Sequence, residues 1–423
     1  MLFQFERIFK NYFSFNPNLM ILLEKKLEEL KETISSYKLC DFCLGLIPYT
    51  NSKNLSTIQV GKSIRKQLNL SKINPLNCWL CNGLSDEIPN FIQLIYEKLK
   101  EYEYNSFLIG CKVDEEILER EKQFLSKIGV STTESIFKNH LNREIGKTLE
   151  EQLDKEVDFK NPDIIAVIDT SFDVVHLQIK PIYIYGRYIK KSRSIPQTKW
   201  FCSLCHGKGC RRCSYSGKLY ETSVEELIAA PLLKYTKGED ESFHGCGRED
   251  IDVQMLGNGR PFVIEIKNPK KRSIDFDKIT EEIKRGNKVS VVNLRYSNRE
   301  ELIRLKKAHF NKIYQAVVEC KEAISEEKLK KAVETLQGAT IHQFTPTRVA
   351  HRRAHLVRNR KIYSCRIESI RDTRATLMIE AESGTYIKEL ISGDNGNTKP
   401  SLSELLGIPC STVTLDVIEI KGE

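Results

Sequence analysis

No stretch of this chain reaches the roughly 18 consecutive apolar residues of a membrane span, so no helical membrane anchor is expected. The apolar N-terminal residues are broken by Glu6, Arg7 and Lys10, and no small-residue cleavage site follows; a secretory signal is not expected either. There is no internal repeat and no low-complexity tract. Without an export signal, the 13 cysteines read as metal ligands or buried apolar groups rather than disulfides, and the cytoplasm is the expected location. Strands and helices do not alternate strictly as βαβ units, which predicts an α+β fold.

What is present is ordinary in bulk and uneven in detail. A length of 423 residues suits two or three domains, and 40% hydrophobic with 29% charged residues is globular composition. The net charge of +9 favours a polyanionic partner. Acids are scarce where bases cluster: Arg348, Arg352, Arg353, Arg358, Arg360, Lys361, Arg366, Arg371 and Arg374 face only Glu368 and Asp372, a nucleic-acid signature. Residues 19–35 show amphipathic helical spacing, read as a helix packed on its own domain. Strands are expected near 163–169 and 175–179 as a hairpin, and near 288–295, 310–319 and 411–420. Helices are expected from Thr222 with Glu225 as capping partner, near 276–285, and from Ser297 with Glu300. Residues 186–200 read as an aromatic and basic linker.

Two cysteine groups have metal-ligand spacing. Cys202, Cys205, Cys210 and Cys213 form two CxxC knuckles around a glycine-bearing turn, enough for a tetrahedral four-thiolate zinc site. Cys40, Cys43, Cys78 and Cys81 repeat the pattern across a long insertion. Such closed sites are structural, so one or two zinc ions and no catalytic cofactor are expected. Cys111, Cys246, Cys320, Cys365 and Cys410 lack partner spacing and read as buried apolar residues.

The densest chemistry lies in residues 243–269, FHGCGREDIDVQMLGNGRPFVIEIKNP. The alternation of Asp250 and Asp252 with Ile251 and Val253, followed by Gly257-Asn258-Gly259, reads as a β-hairpin presenting carboxylates beside Arg248. Two chemistries fit. Asp252 with Glu265 and Lys267 matches the loose D…ExK pattern of a magnesium-dependent nuclease. Alternatively, Gly247-Arg248-x-Asp250 offers a metal-free carboxylate nucleophile or base. A non-catalytic, zinc-containing RNA-binding protein is a third reading.

The second chemistry is favoured by a resemblance. The GRxD element resembles the signature of pseudouridine synthases. REIGK (143–147), GRYIKKSRSIPQTKW, CSLCHGKGCRRC, TSVEELI (222–228), TPTRVAHRRA, TYIKELISGD and the closing TLDV occur in the order found in the archaeal and eukaryotic tRNA pseudouridine synthase family acting on the TΨC arm. The resemblance covers all but roughly the first thirty residues. It implies a C-terminal pseudouridine synthase fold, a mixed and mainly antiparallel sheet, behind an N-terminal zinc- and THUMP-containing α/β domain. The expected division is a helical extension over 1–36, the RNA-binding domain over 37–195, a linker with the second cysteine cluster over 196–221, and the catalytic domain over 222–423. The resemblance makes Asp250 the catalytic residue, Tyr314 the aromatic that stacks on the target base, and Lys388 and Ile387 the basic and apolar partners of the aspartate. Leu415 closes the pocket floor. Arg248, Arg348, Arg352 and Arg353 are expected to contact RNA. The implied substrate is uridine at positions 54 and 55 of tRNA, and the chain is expected to be monomeric. Departures from the family pattern fall at Cys246, His355, Phe344 and Leu46.

Overall fold

A computed structural model describes residues 27–47, 55–352 and 354–422, without the side chains of 350–352. Arg353 therefore lies outside the described residues, as does the Arg352 side chain, and of the expected helix at 19–35 only the part from Leu27 onward is described. The chain forms two compact units. One comprises the described residues up to Lys180 with 270–272, the other the described residues of 181–269 and from Ser273 onward.

The first unit is built on a four-stranded sheet in the order β2-β1-β3-β4, from β1 (Ser106–Lys112), β2 (Glu156–Val157), β3 (Ile164–Asp169) and β4 (Val174–Ile179). The two segments expected to form a hairpin, β3 and β4, do pair antiparallel. Alternation explains the packing. Ile164, Ala166 and Ile168 are buried, together with Phe107 and Ile109 of β1 and the apolar stripe Phe137, Leu141, Ile145 and Leu149 of the helix Ile136–Leu153. The same helix carries Glu144, whose carboxylate accepts from the Thr57 amide and hydroxyl and so holds the start of the helix Thr57–Gln67.

The second unit is built on a ten-stranded sheet. Its order is β13-β10-β11-β12-β9-β14-β7-β5-β8, with β6 paired to β7. The strands are β5 (Ile182–Lys190), β6 (Asp240–Gly245), β7 (Gln254–Lys267), β8 (Val289–Ser297), β9 (Lys312–Cys320), β10 (Thr340–Gln343), β11 (Arg358–Arg371), β12 (Arg374–Ala381), β13 (Thr398–Lys399) and β14 (Cys410–Ile420). Pairing is antiparallel except between β14 and β7. The α+β organisation read from the sequence is thus the observed one. Helices Val224–Thr236, Phe276–Arg285 and Glu326–Leu336 bury their apolar residues in this unit's core. Ser223 and Asn298, rather than Thr222 and Ser297, cap the expected helices, because their side chains accept the amides of Glu226 and Glu301. All five cysteines without partner spacing are buried.

Two expectations are corrected here. The expected linker over 186–200 begins inside β5, whose residues 186–190 are part of an interior strand bonded to β7 and β8, and the expected boundary at 195 falls inside the second unit. Gly257-Asn258-Gly259 does not turn a hairpin: it lies within β7, and β6 pairs with β7 only from Phe262 onward. The glycines serve close approach instead. A Cβ on Gly257, at φ +56°, would meet the Ile418 carbonyl oxygen at 1.7 Å. Asn258 between them exchanges side-chain hydrogen bonds with the Ile420 backbone, and Arg187 donates to the Asn258 and Gly259 carbonyls.

Candidate active site

Removing the hairpin places Asp250 and Asp252 in the loop 246–253, between β6 and β7. Such a loop needs something other than ladder bonds to fix it, and buried charge supplies it. Glu249, 7% exposed, accepts from Arg260 Nε at 2.9 Å and from the Tyr188 hydroxyl at 2.8 and 3.0 Å. Arg260 Nη1 also donates to the Cys246 carbonyl, and Gln197 bridges the Tyr188 hydroxyl to the Gly247 carbonyl. Burial works against the Arg260 charge, but attraction to Glu249 outweighs it and its pKa is raised. On the far side of the loop the fully buried Lys190 Nζ donates to the carbonyls of Ile195, Asp250 and Ile251. Arg193 binds the Asp252 carbonyl, the Leu415 carbonyl and the Asp416 carboxylate, tying the loop to β14. Every residue of this scaffold hydrogen-bonds main chain of the loop or holds one that does.

Held in this way, Asp250 opens on a cavity of about 220 Å³ lined also by Pro196, Trp200, Arg248, Glu249, Ile251, Asp252, Arg348 and Lys388. That is smaller than the ~300–1,000 Å³ typical of drug-sized ligand sites and suits one flat group. The Asp250 carboxylate, 34% exposed, accepts from Arg348 Nη1 at 2.7 Å and lies 3.8 Å from Lys388 Nζ. Arg348 turns its other edge to Glu389, with Nε–Oε1 at 2.6 Å and Nη2–Oε2 at 3.3 Å. Burial disfavours the Arg348 charge, but the Glu389 hydrogen bonds and then Asp250 reverse this and raise its pKa. Lys388 Nζ grips both oxygens of Asp252, at 2.7 and 2.9 Å. Burial pushes the Asp252 carboxyl up, yet the Lys388 contact prevails and its pKa is lowered.

The short helix Ile387–Ser392 explains this placement. Successive residues differ by about 100° around the axis, so Ile387, Leu390 and Ile391 enter the core while Lys388 lines the cavity and Glu389 meets Arg348. Tyr314, on β9, and Leu415, on β14, are buried in the same core cluster as Ile387 and do not line the cavity. Burial pushes the Tyr314 phenol up to about 12, Arg260 opposing and Asp250 adding to the shift, so the loop charges act on this ring. Arg248, expected beside the carboxylates, lies over the Trp200 ring at 5.6 Å. The cation bonded to Asp250 is instead Arg348, which spacing alone did not single out for that contact. Lys190, Glu249, Arg260 and Glu389 were missed entirely, because charged residues carry no sequence mark of burial.

The three residues of the D…ExK pattern are not brought together. Asp252 pairs with Lys388, Lys267 pairs with Asp240, and Glu265 accepts from the Tyr183 hydroxyl. Among the described residues, metal-ligand groupings occur only at the two cysteine sets. In each, all four sulfurs lie within 4.8 Å of one another, with Cys40–Cys81 at 3.8 Å in the first set and separations of 3.7–3.9 Å in the second. Tetrahedral zinc with Zn–S near 2.3 Å places thiolates about 3.8 Å apart, so both sets fit the ion. Backbone amides of Gly209, Cys210 and Gly217 point at the sulfurs of the second set, as they do around bound thiolates. No helix among the described residues is long and apolar enough to cross a membrane.

The family model "Pus10, C-terminal" matches residues 183–421, and "Pus10 THUMP domain, archaeal" matches 91–169. A protein of Methanocaldococcus jannaschii named tRNA pseudouridine synthase Pus10 is 41% identical, with 92% of this chain and 93% of that one aligned. The protein of that name from Methanopyrus kandleri is 36% identical over 94% of this chain and 99% of its own. A solved Cbf5-Nop10-Gar1 complex aligns over 56% of this chain and 48% of that one at 17% identity and TM-score 0.32, too loosely to carry an argument. The GRED loop and the cavity it borders lie within the matched region 183–421, and the matches lead to one assignment: this chain belongs to the Pus10 family of tRNA pseudouridine synthases.

Proposed function

We propose that the chain converts uridine to pseudouridine at positions 54 and 55 of the tRNA T-loop, with Asp250 as the reacting carboxylate. In this isomerisation the N1–C1′ bond breaks, the base turns over and a C5–C1′ bond forms. The C5 proton is lost and N1 gains one, so atoms balance without a redox partner. The carrying observation is Asp250 itself: it is partly exposed in a cavity and bonded to one guanidinium, on a loop immobilised by buried charge. A preorganised carboxylate needs no reorganisation when positive charge develops at C1′, and it is equally placed to take the C2′ proton. Arg348 and Lys388 orient the acid and neutralise it until substrate enters.

These contacts are weak enough to give way. Ion pairs about one-third exposed, such as Asp250–Arg348, contribute roughly 0–1 kcal/mol. The target base must leave its stack, at a few kcal/mol, offset by phosphate contacts from the basic segment that begins at Arg348. The family resemblance gives Tyr314 the stacking role, with Ile387 and Leu415 as apolar neighbours, although all three are buried and outside the cavity lining. Zinc in the cysteine sets supplies structural cross-linking. A cytoplasmic location and a monomeric state go with this reading.

The test uses a tRNA transcript tritiated at uridine C5. The wild-type chain should release tritium without shortening the RNA, and Asp250→Asn should release none while binding tRNA nearly as well. Full activity of that variant would remove Asp250 from the chemistry. Pseudouridine mapped only outside the T-loop would refute the target position.

A further inference from the structure

The cysteine knuckle at 202–213 has an outer face that the proposed chemistry does not use. Phe201 is 59% exposed, Leu204 64% and Tyr215 72%, an unusual grouping of large apolar side chains on one small turn. The two rings flank the same tip: a Cβ on Gly207 would touch the Phe201 ring at 3.0 Å, and one on Gly209 would touch the Tyr215 backbone. Lys208 lies between these glycines and is exposed, as are Arg211 and Arg212. From Lys199 to Tyr220 there is no acidic residue.

Tyr215 is also held at φ +62°, next to Ser214 at +49°, a left-handed conformation that a bulky side chain rarely adopts. The amides of Tyr215, Ser216 and Gly217 are bonded to Cys210 O, Cys213 O and Cys213 Sγ, so the cysteine turn imposes that conformation. The exposed ring is therefore carried on a backbone fixed by the cysteine turn, which lowers the ordering cost of any contact it makes. The face is moreover continuous with the candidate active site. Phe201 directly follows Trp200, which lines the Asp250 cavity, and Leu219 returns to bond the Trp200 carbonyl.

We propose that this knuckle is a second RNA contact, in which Phe201 and Tyr215 stack on unpaired bases of the substrate while Lys208, Arg211 and Arg212 bind its phosphates. Aromatic rings interleaved with cations are the sequence-tolerant way to hold single-stranded RNA, and a base extruded toward the cavity leaves such unpaired neighbours. The inference rests on the reading of the chain as an RNA-modifying enzyme.

The decisive variant is Tyr215→Gly. Glycine relieves the left-handed backbone, so this protein should melt no lower than wild type and keep its zinc, yet bind tRNA about tenfold more weakly by fluorescence anisotropy. Tyr215→Phe should bind within twofold of wild type. Neutralising Lys208, Arg211 and Arg212 together should reduce the slope of log affinity against log salt by about 2, from roughly 0.7 per single-strand phosphate. Unchanged affinity in Tyr215→Gly together with an unchanged salt slope would overturn the proposal and leave a protein as the partner of this face. Tyr215→Leu, which keeps an apolar side chain but no ring, should resemble Tyr215→Gly; wild-type binding there would overturn stacking. If the wild-type chain neither binds nor isomerises tRNA, the enzymatic reading itself has failed; if it does both and the variants match it, only the knuckle contact has.

Discussion

Two adjacent acids, Glu249 and Asp250, should respond to mutation in opposite ways. The side chains of Glu249 and Arg260 are each 1% exposed, and the acid also takes the Tyr188 hydroxyl with Lys190 at 4.0 Å. Glu249→Ala leaves a guanidinium and an ammonium in the core without their carboxylate. Removing one partner of a buried pair costs about 3–5 kcal/mol. For a unit of this size each kcal/mol moves the melting temperature by roughly 2–4 °C, so a drop of about 6–20 °C is expected. Asp250→Asn, in a pair one-third exposed, should lower it by no more than about 2–4 °C. Activity should reverse the ranking: below its transition Glu249→Ala keeps measurable tritium release, and Asp250→Asn has none. Thermal unfolding followed by circular dichroism, with tritium release at 25 °C, measures both. A Glu249→Ala protein that melts with wild type would refute the claim that buried charge fixes the loop.

Glu389→Gln should loosen Arg348 from behind and lower the rate of tritium release about tenfold with little change in tRNA affinity; a change confined to affinity would contradict it. Tyr314→Phe should retain far more activity than Tyr314→Ala, since the ring face rather than the hydroxyl is assigned the work. Burial, then repulsion from Arg260, lowers the Lys312 pKa to about 8. Below that pH both folded and unfolded chains hold the proton, and the cost of the buried ammonium is present in full; between about 8 and roughly 10.4 only the unfolded chain holds it, so stability should rise with pH across that window, and Lys312→Met should flatten the rise in denaturant titrations. Metal analysis should find two zinc ions per chain, and Cys213→Ser should lose one of them.

Much of the fold was legible because alternation survives in half-buried strands: β3, β4, β9 and β14 were read near their observed ends. The cysteine sets were legible because metal geometry constrains spacing. The loop that carries Asp250 was misread because its glycines imitate a turn. They answer a contact with Ile418, some 160 residues away, that no local pattern encodes. The pairing of Asp250 with Arg348 was hidden for the same reason, and Lys190 and Arg260 because their default is the surface.

The position of β14 has a consequence for biosynthesis. It sits between β9 and β7, in the middle of the large sheet, although it is the last of the sheet's strands to leave the ribosome. Until then β9 and β7 each expose an unpaired edge, a template for wrong partners. The second unit should therefore complete its fold only after synthesis has passed Ile420. A nascent chain stalled before Cys410 should expose two half-sheets to chaperones and proteases.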